Sequence, residues 1–205
     1  GAVTLRLTGG WISGTVTNSA TGQGVAGATV TAVGPKTAST VTAADGTYVV
    51  PVAPGGPYSV TAHSAAHIDS GVAANVASVA CGQTVAGANI QVNPMNVREC
   101  TMGNYYQVPG RPTGDPVCVQ GIVMRTHYIE GSRNGYNGYY YIYDTLYQGT
   151  QQGVRVNLYA GQPAVQEGDK VVVDGTWTLP AAIQQGRIVP SKAPFVVSTG
   201  NPVPN

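Results

Sequence analysis

The sequence predicts an all-β chain, and three observations carry that reading. Apolar and polar residues alternate with a period of two between turn signals spaced about every 8 to 12 residues, as in sandwiches and barrels. No window sustains the 3.6-residue apolar stripe of an amphipathic helix. Turn-forming residues are abundant, with 28 glycines and 14 prolines among 205 residues.

In chain order, Val3, Leu5 and Leu7 alternate with Ala2, Thr4 and Arg6 ahead of Gly9-Gly10, which reads as an amphipathic strand that either pairs within its own domain or adds to a sheet edge of the next subunit. Val30 and Ala32 alternate with Thr29 and Thr31; Tyr48, Val50 and Val52 follow an Asp45-Gly46 turn; Val60 and Ala62 follow Pro54-Gly55-Gly56-Pro57. A further strand is expected from Thr84 to Asn93. Composition then changes. The first 94 residues hold four charged groups, Arg6, Lys36, Asp45 and Asp69, whereas ten of the twelve tyrosines come later. Pro94, Pro109, Pro112 and Pro116 punctuate the segment between, so the expected organisation is a domain over 1–94, a Gly/Pro-rich linker over 95–115, and a second domain over 116–205 ending in a Pro-rich tail. Five strands are expected in that second domain: Val117 to Tyr128, Gly138 to Thr145, Gly153 to Tyr159, Lys170 to Leu179 and Gly186 to Val197.

Charge narrows the classes of function. Only 9% of residues are Asp, Glu, Lys or Arg, against about a quarter in ordinary soluble domains. A surface of hydroxyls, amides and small side chains associates readily with its neighbours. A net charge of +1 gives no electrostatic pull toward nucleic acid or anionic lipid. No apolar run approaches the roughly 20 residues of a membrane span, so membrane insertion is not expected. The opening Gly1-Ala2-Val3, without Met or basic flank, reads as a mature end left by leader removal, which places the chain outside the cytoplasm.

Four segments of the first domain carry a family pattern: Ile12-Ser13-Gly14-Thr15-Val16-Thr17, Thr21 to Val30, Thr42-Ala43-Ala44-Asp45-Gly46-Thr47-Tyr48 and Gly56-Pro57-Tyr58-Ser59-Val60-Thr61-Ala62. Over residues 11 to 93 the chain resembles the carboxypeptidase regulatory-like family. The resemblance implies a transthyretin-like β-sandwich, used as a module in secreted and surface proteins. In the second domain, Gly121-Ile122-Val123, Tyr141-Ile142-Tyr143-Asp144, Gly153-Val154-Arg155-Val156 and Gly168 to Gly175 resemble bacterial secreted OB-fold barrels. That resemblance implies a five-stranded barrel of a kind that often holds oligonucleotides or oligosaccharides on one face.

The candidate sites follow. Tyr139, Tyr141 and Tyr143 share one face of a strand and, with Arg155, form either a stacking platform for sugars or bases or a packing surface. Sparse charge nearby favours packing, and Tyr141 is expected to be the ring whose loss harms folding or assembly. Three cysteines allow one internal disulfide. Cys100 and Cys118 bracket a loop able to double back and are the expected pair, at about 3 kcal/mol; the alternative is three reduced, buried thiols. His63 and His67 lack a third ligand at matching spacing, and Asp45-Gly46 reads as a turn rather than a calcium loop, so no metal or cofactor is expected. No HExxH, P-loop, GxSxG or CxxC motif occurs, so no enzyme is expected.

Together these readings predict a secreted, non-enzymatic structural protein, self-assembling head to tail into an extracellular filament or surface layer. Val3, Leu5 and Leu7 would add to a sheet edge of the next copy. The alternative is an adhesive module for surface glycans, with single-stranded DNA behind it.

Overall fold

A computed structural model describes residues 9–100, 112–133, 136–143, 153–159, 164–179 and 186–203. They fall into two compact units: one runs to Ser64 and resumes over Ile68–Asn93, and the other joins Ala65–His67 to the chain from Pro94 onward. Val3, Leu5 and Leu7 lie outside the described residues.

The first part of the chain forms β1 (Gly10–Asn18), β2 (Thr29–Val33), β3 (Ala38–Val41), β4 (Thr47–Val52), β5 (Tyr58–His63), β6 (His67–Asp69), β7 (Ala74–Val76), β8 (Thr84–Val85) and β9 (Ile90–Asn96). In the first unit, β1 pairs with β4 antiparallel and with β8 and β9 in parallel. The second sheet runs β3-β2-β5-β7. Strict alternation on β4 points Tyr48, Val50 and Val52 into the core and Thr47, Val49 and Pro51 outward. Ile12 and Val16 of β1 meet Val30 of β2 and Val60 of β5 in one cluster between the sheets. Each such valine contributes about 1.5–3 kcal/mol on burial. Two tyrosines fill the larger spaces and satisfy their hydroxyls on backbone: Tyr48 donates to the Ala88 carbonyl, and Tyr58 to the Ala53 carbonyl at 2.6 Å. At the β4 turn, Gly46 has φ of 82° and a Cβ there would lie 2.4 Å from the Val16 carbonyl oxygen. Only glycine fits. Asp45 accepts from the Thr47 amide and hydroxyl, and those bonds hold its carboxyl below the ordinary value.

The strand expected over Thr84 to Asn93 is two pieces. Residues 86–89 leave the ladder, where the Ala88 carbonyl takes the Tyr48 hydroxyl, and β9 then runs on to Asn96. The segment read as a linker therefore opens with strand, followed by the single turn α1 (Val97–Cys100).

The second unit contains β10 (Pro116–Arg133), β11 (Tyr136–Tyr143), β12 (Gly153–Tyr159), β13 (Lys170–Thr178), β14 (Arg187–Pro190) and β15 (Phe195–Ser198). β10 pairs with β11, β11 with β12, β12 with β14 in parallel, β14 with β13, and β13 back with β10. The result is a closed five-stranded barrel, so the molecule is a sandwich followed by a barrel, as the sequence predicts. Val117, Val119, Tyr140, Ile142, Val156, Val173 and Ile188 are among the buried residues that fill it. The last expected strand, Gly186 to Val197, splits at Ser191–Pro194. Its first half pairs with β12 and β13, while its second half, β15, pairs with the other end of β13. Ser191 turns the chain by donating its amide to the Asp174 carbonyl at 2.9 Å.

Candidate functional site

The barrel interior takes one face of β11 and leaves the other outside. Tyr140 lies opposite Val156, and Ile142 opposite Val154, all buried. Tyr139, Tyr141 and Tyr143 therefore stand on the outer face, half-buried. Of the two packing roles expected for Tyr141, in the core or against a neighbouring copy, the barrel core falls instead to Tyr140, because register on β12 decides which of two adjacent tyrosines enters.

Cross-strand pairing assembles a cationic and aromatic face around these rings. His127 and Arg125 of β10 lie opposite Tyr139 and Tyr141, and Asn157 and Arg155 of β12 flank the same two from the other side. His127 stacks on Tyr139 with ring centroids 4.9 Å apart and planes at 28°. Tyr141 meets Tyr139 edge-on at 5.7 Å. The Arg155 guanidinium carbon sits 4.1 Å over the Tyr139 ring, a cation–π contact. Tyr143 lies across Gly153, where a Cβ would come within 2.4 Å of its ring. Burial pushes the Tyr143 hydroxyl's pKa up, and Tyr141 beside it adds to the rise; the Arg125 charge opposes both.

Arg187, which the sequence offers no reason to place here, is the β14 partner of Arg155. Asn157 is only 2% exposed. Its Nδ2, together with the Nε of Arg155 and of Arg187, is buried without a hydrogen-bond partner. Orphaned donors of this kind are rare in folded proteins and call for an acceptor. None of the described residues on this face is a carboxylate. The face can stack flat rings and donate hydrogen bonds to acceptor-rich or anionic groups. In the first unit, a cleft of about 650 Å³ lined by residues such as Thr15, Thr17, Ser70 and Asn89 has no charged side chain in its lining.

The remaining expected sites are placed as follows. His63 pairs with Asp69 at 3.0 Å. Cys81 is exposed; Cys100 and Cys118 are buried, and the expected bridge between them is not formed. The β10–β13 register sets Cys118 on the outside of the barrel wall opposite Asp174, where its thiol gathers with other side chains.

These observations define a two-module β protein with a preformed aromatic face and no assembled catalytic group among the described residues. Residues 11–93 match the model of the carboxypeptidase regulatory-like domain. No curated protein matches the chain. Among solved structures, the Bacillus anthracis TIE protein is similar over 95% of this chain at 11% identity and a TM-score of 0.38. The chain spans 32% of that protein's length.

Proposed function

We propose that the chain is a non-enzymatic structural subunit of an extracellular filament or cell-surface layer, joined head to tail by strand addition. The observation that supports this best is β15. Phe195, Val196 and Val197 are all exposed, the strand carries no charge, and among the described strands it pairs only with β13. The β13–β15 ladder shifts register at Val197, yet the strand itself carries neither lysine nor proline, and an apolar, uncharged sheet edge is a template for another strand. Val3, Leu5 and Leu7 of a neighbouring copy have the alternation to supply it. Such a contact does not close on itself and so propagates. The sparse charge of the chain and the surface use of regulatory-like modules agree with an extracellular location.

Negative-stain microscopy tests the reading. The native chain forms polymers, while deletion of Gly1 to Thr8 and, separately, Val197→Lys leave folded monomers. Polymers from either variant, or a deleted chain that unfolds as a monomer, would overturn it.

A second reading is favoured by the Arg155–Tyr139–His127 stack, in which the barrel face adheres to an extended polymer. Arg187 beside Arg155 adds charge, so the favoured ligand is an acidic polysaccharide, with single-stranded nucleic acid behind it.

A further inference from the structure

We propose that His67, Cys118 and Asp174 form a binding site for a divalent transition-metal ion of zinc's kind. The three belong to one unit, since Ala65–His67 groups with the barrel. Their donor atoms all lie within 4.8 Å of one another.

Backbone geometry brings them together. Cys118 of β10 is the register partner of Asp174 of β13. The Cys118 amide donates to the Ala66 carbonyl at 2.8 Å, and the Asp174 carbonyl accepts from Ser191. Neither group is therefore used across the pair, which makes it the non-hydrogen-bonded kind whose side chains approach most closely. Val117, Val119 and Val173 take the inner face, so Cys118 and Asp174 point outward from the barrel. The Ala66 bond that anchors the Cys118 amide also sets the next residue, His67, beside the pair.

The donor set selects the ion. Imidazole, thiolate and carboxylate together suit zinc or cobalt, whereas calcium and magnesium require six or more oxygens or a largely hydrated shell. Bond lengths of roughly 2.0–2.3 Å in a tetrahedral site put donor atoms about 3.5 Å apart. The cluster needs to contract by roughly an ångström, within reach of side-chain rotation. Cys118 is buried while His67 and Asp174 are half-exposed, so the fourth position faces solvent and takes water. On binding, the Cys118 thiol gives its proton to solvent as the sulfur–metal bond forms. Lys192 holds Asp174 Oδ2 at 2.8 Å. Its charge opposes the metal, so Lys192→Met should bind more tightly.

The test uses the whole chain, reduced with a non-chelating phosphine, and cobalt(II) alone as probe. One equivalent should produce a thiolate-to-cobalt charge-transfer band that zinc then erases. Cys81→Ser should keep the band and Cys118→Ala should lose it. His67→Gln and Asp174→Asn, at half-exposed positions that tolerate substitution, should weaken binding roughly tenfold or more. Absence of the band in the native chain, its persistence in Cys118→Ala, or wild-type affinity in both His67→Gln and Asp174→Asn would overturn the proposal. A Cys100–Cys118 disulfide recovered from native material by peptide mapping would do so too. If Cys118→Ala fails to fold, the His67 and Asp174 variants decide the matter.

Discussion

Replacing Tyr140 by phenylalanine should stabilise the barrel. The ring is 1% exposed between Thr126 of β10 and Val156 of β12, and its hydroxyl is buried without a partner. Burial, with Tyr128 a smaller contributor, raises that hydroxyl's pKa, consistent with a group cut off from water. An unsatisfied buried donor is unfavourable by roughly 1–3 kcal/mol. Tyr140→Phe removes it and keeps the ring, so unfolding should shift to higher urea by about that amount. Tyr140→Ala empties the site and should lose about 3–5 kcal/mol. Tyr141→Ala, on the outer face, gives up mainly its edge contact with Tyr139 and should lose about 1 kcal/mol. Urea unfolding of the three variants in a Trp11→Phe background, read from the buried Trp177, isolates the barrel. A Tyr140→Phe chain less stable than its parent would mean that the hydroxyl has a partner. A loss of 3 kcal/mol or more for Tyr141→Ala would mean that the outer face is core, and either result would refute this account of which ring fills the barrel.

In the sandwich, burial pushes the Tyr48 hydroxyl up to about 12 from 10.0. The folded state then holds this proton more tightly than the unfolded chain, so the stability it contributes is full below about pH 10 and falls as pH rises toward about 12. Tyr48→Phe should flatten that limb of the melting-temperature profile, and an unchanged limb would count against it. On the barrel face, Arg155→Ala and Tyr139→Ala should each reduce retention on an acidic polysaccharide matrix about tenfold or more while the chain stays folded, with stability lowered by no more than about 1–3 kcal/mol from the lost ring contacts. Equal retention by parent and variants would remove the adhesive reading.

What the sequence determines by itself is local. Alternation within a strand depends only on the neighbours of each residue, so Thr47–Val52 and Tyr58–His63 are legible as strands without a partner in view. The Asp45-Gly46 turn is legible for the same reason, because a positive φ selects glycine wherever it occurs. The order of glycines and tyrosines over residues 11–93 likewise identifies the sandwich. Register is not local. Tyr139 to Tyr143 are nearly uniform in character, so alternation alone does not say whether odd or even positions enter the barrel; pairing with β12 decides it. Arg187 joins Arg155 through a parallel pairing between strands about thirty residues apart, and His67 reaches Cys118 and Asp174 only because Ala66 bonds across to β10. Each of these groupings rests on backbone hydrogen bonds between distant segments, which closing the barrel supplies and no spacing along the chain encodes.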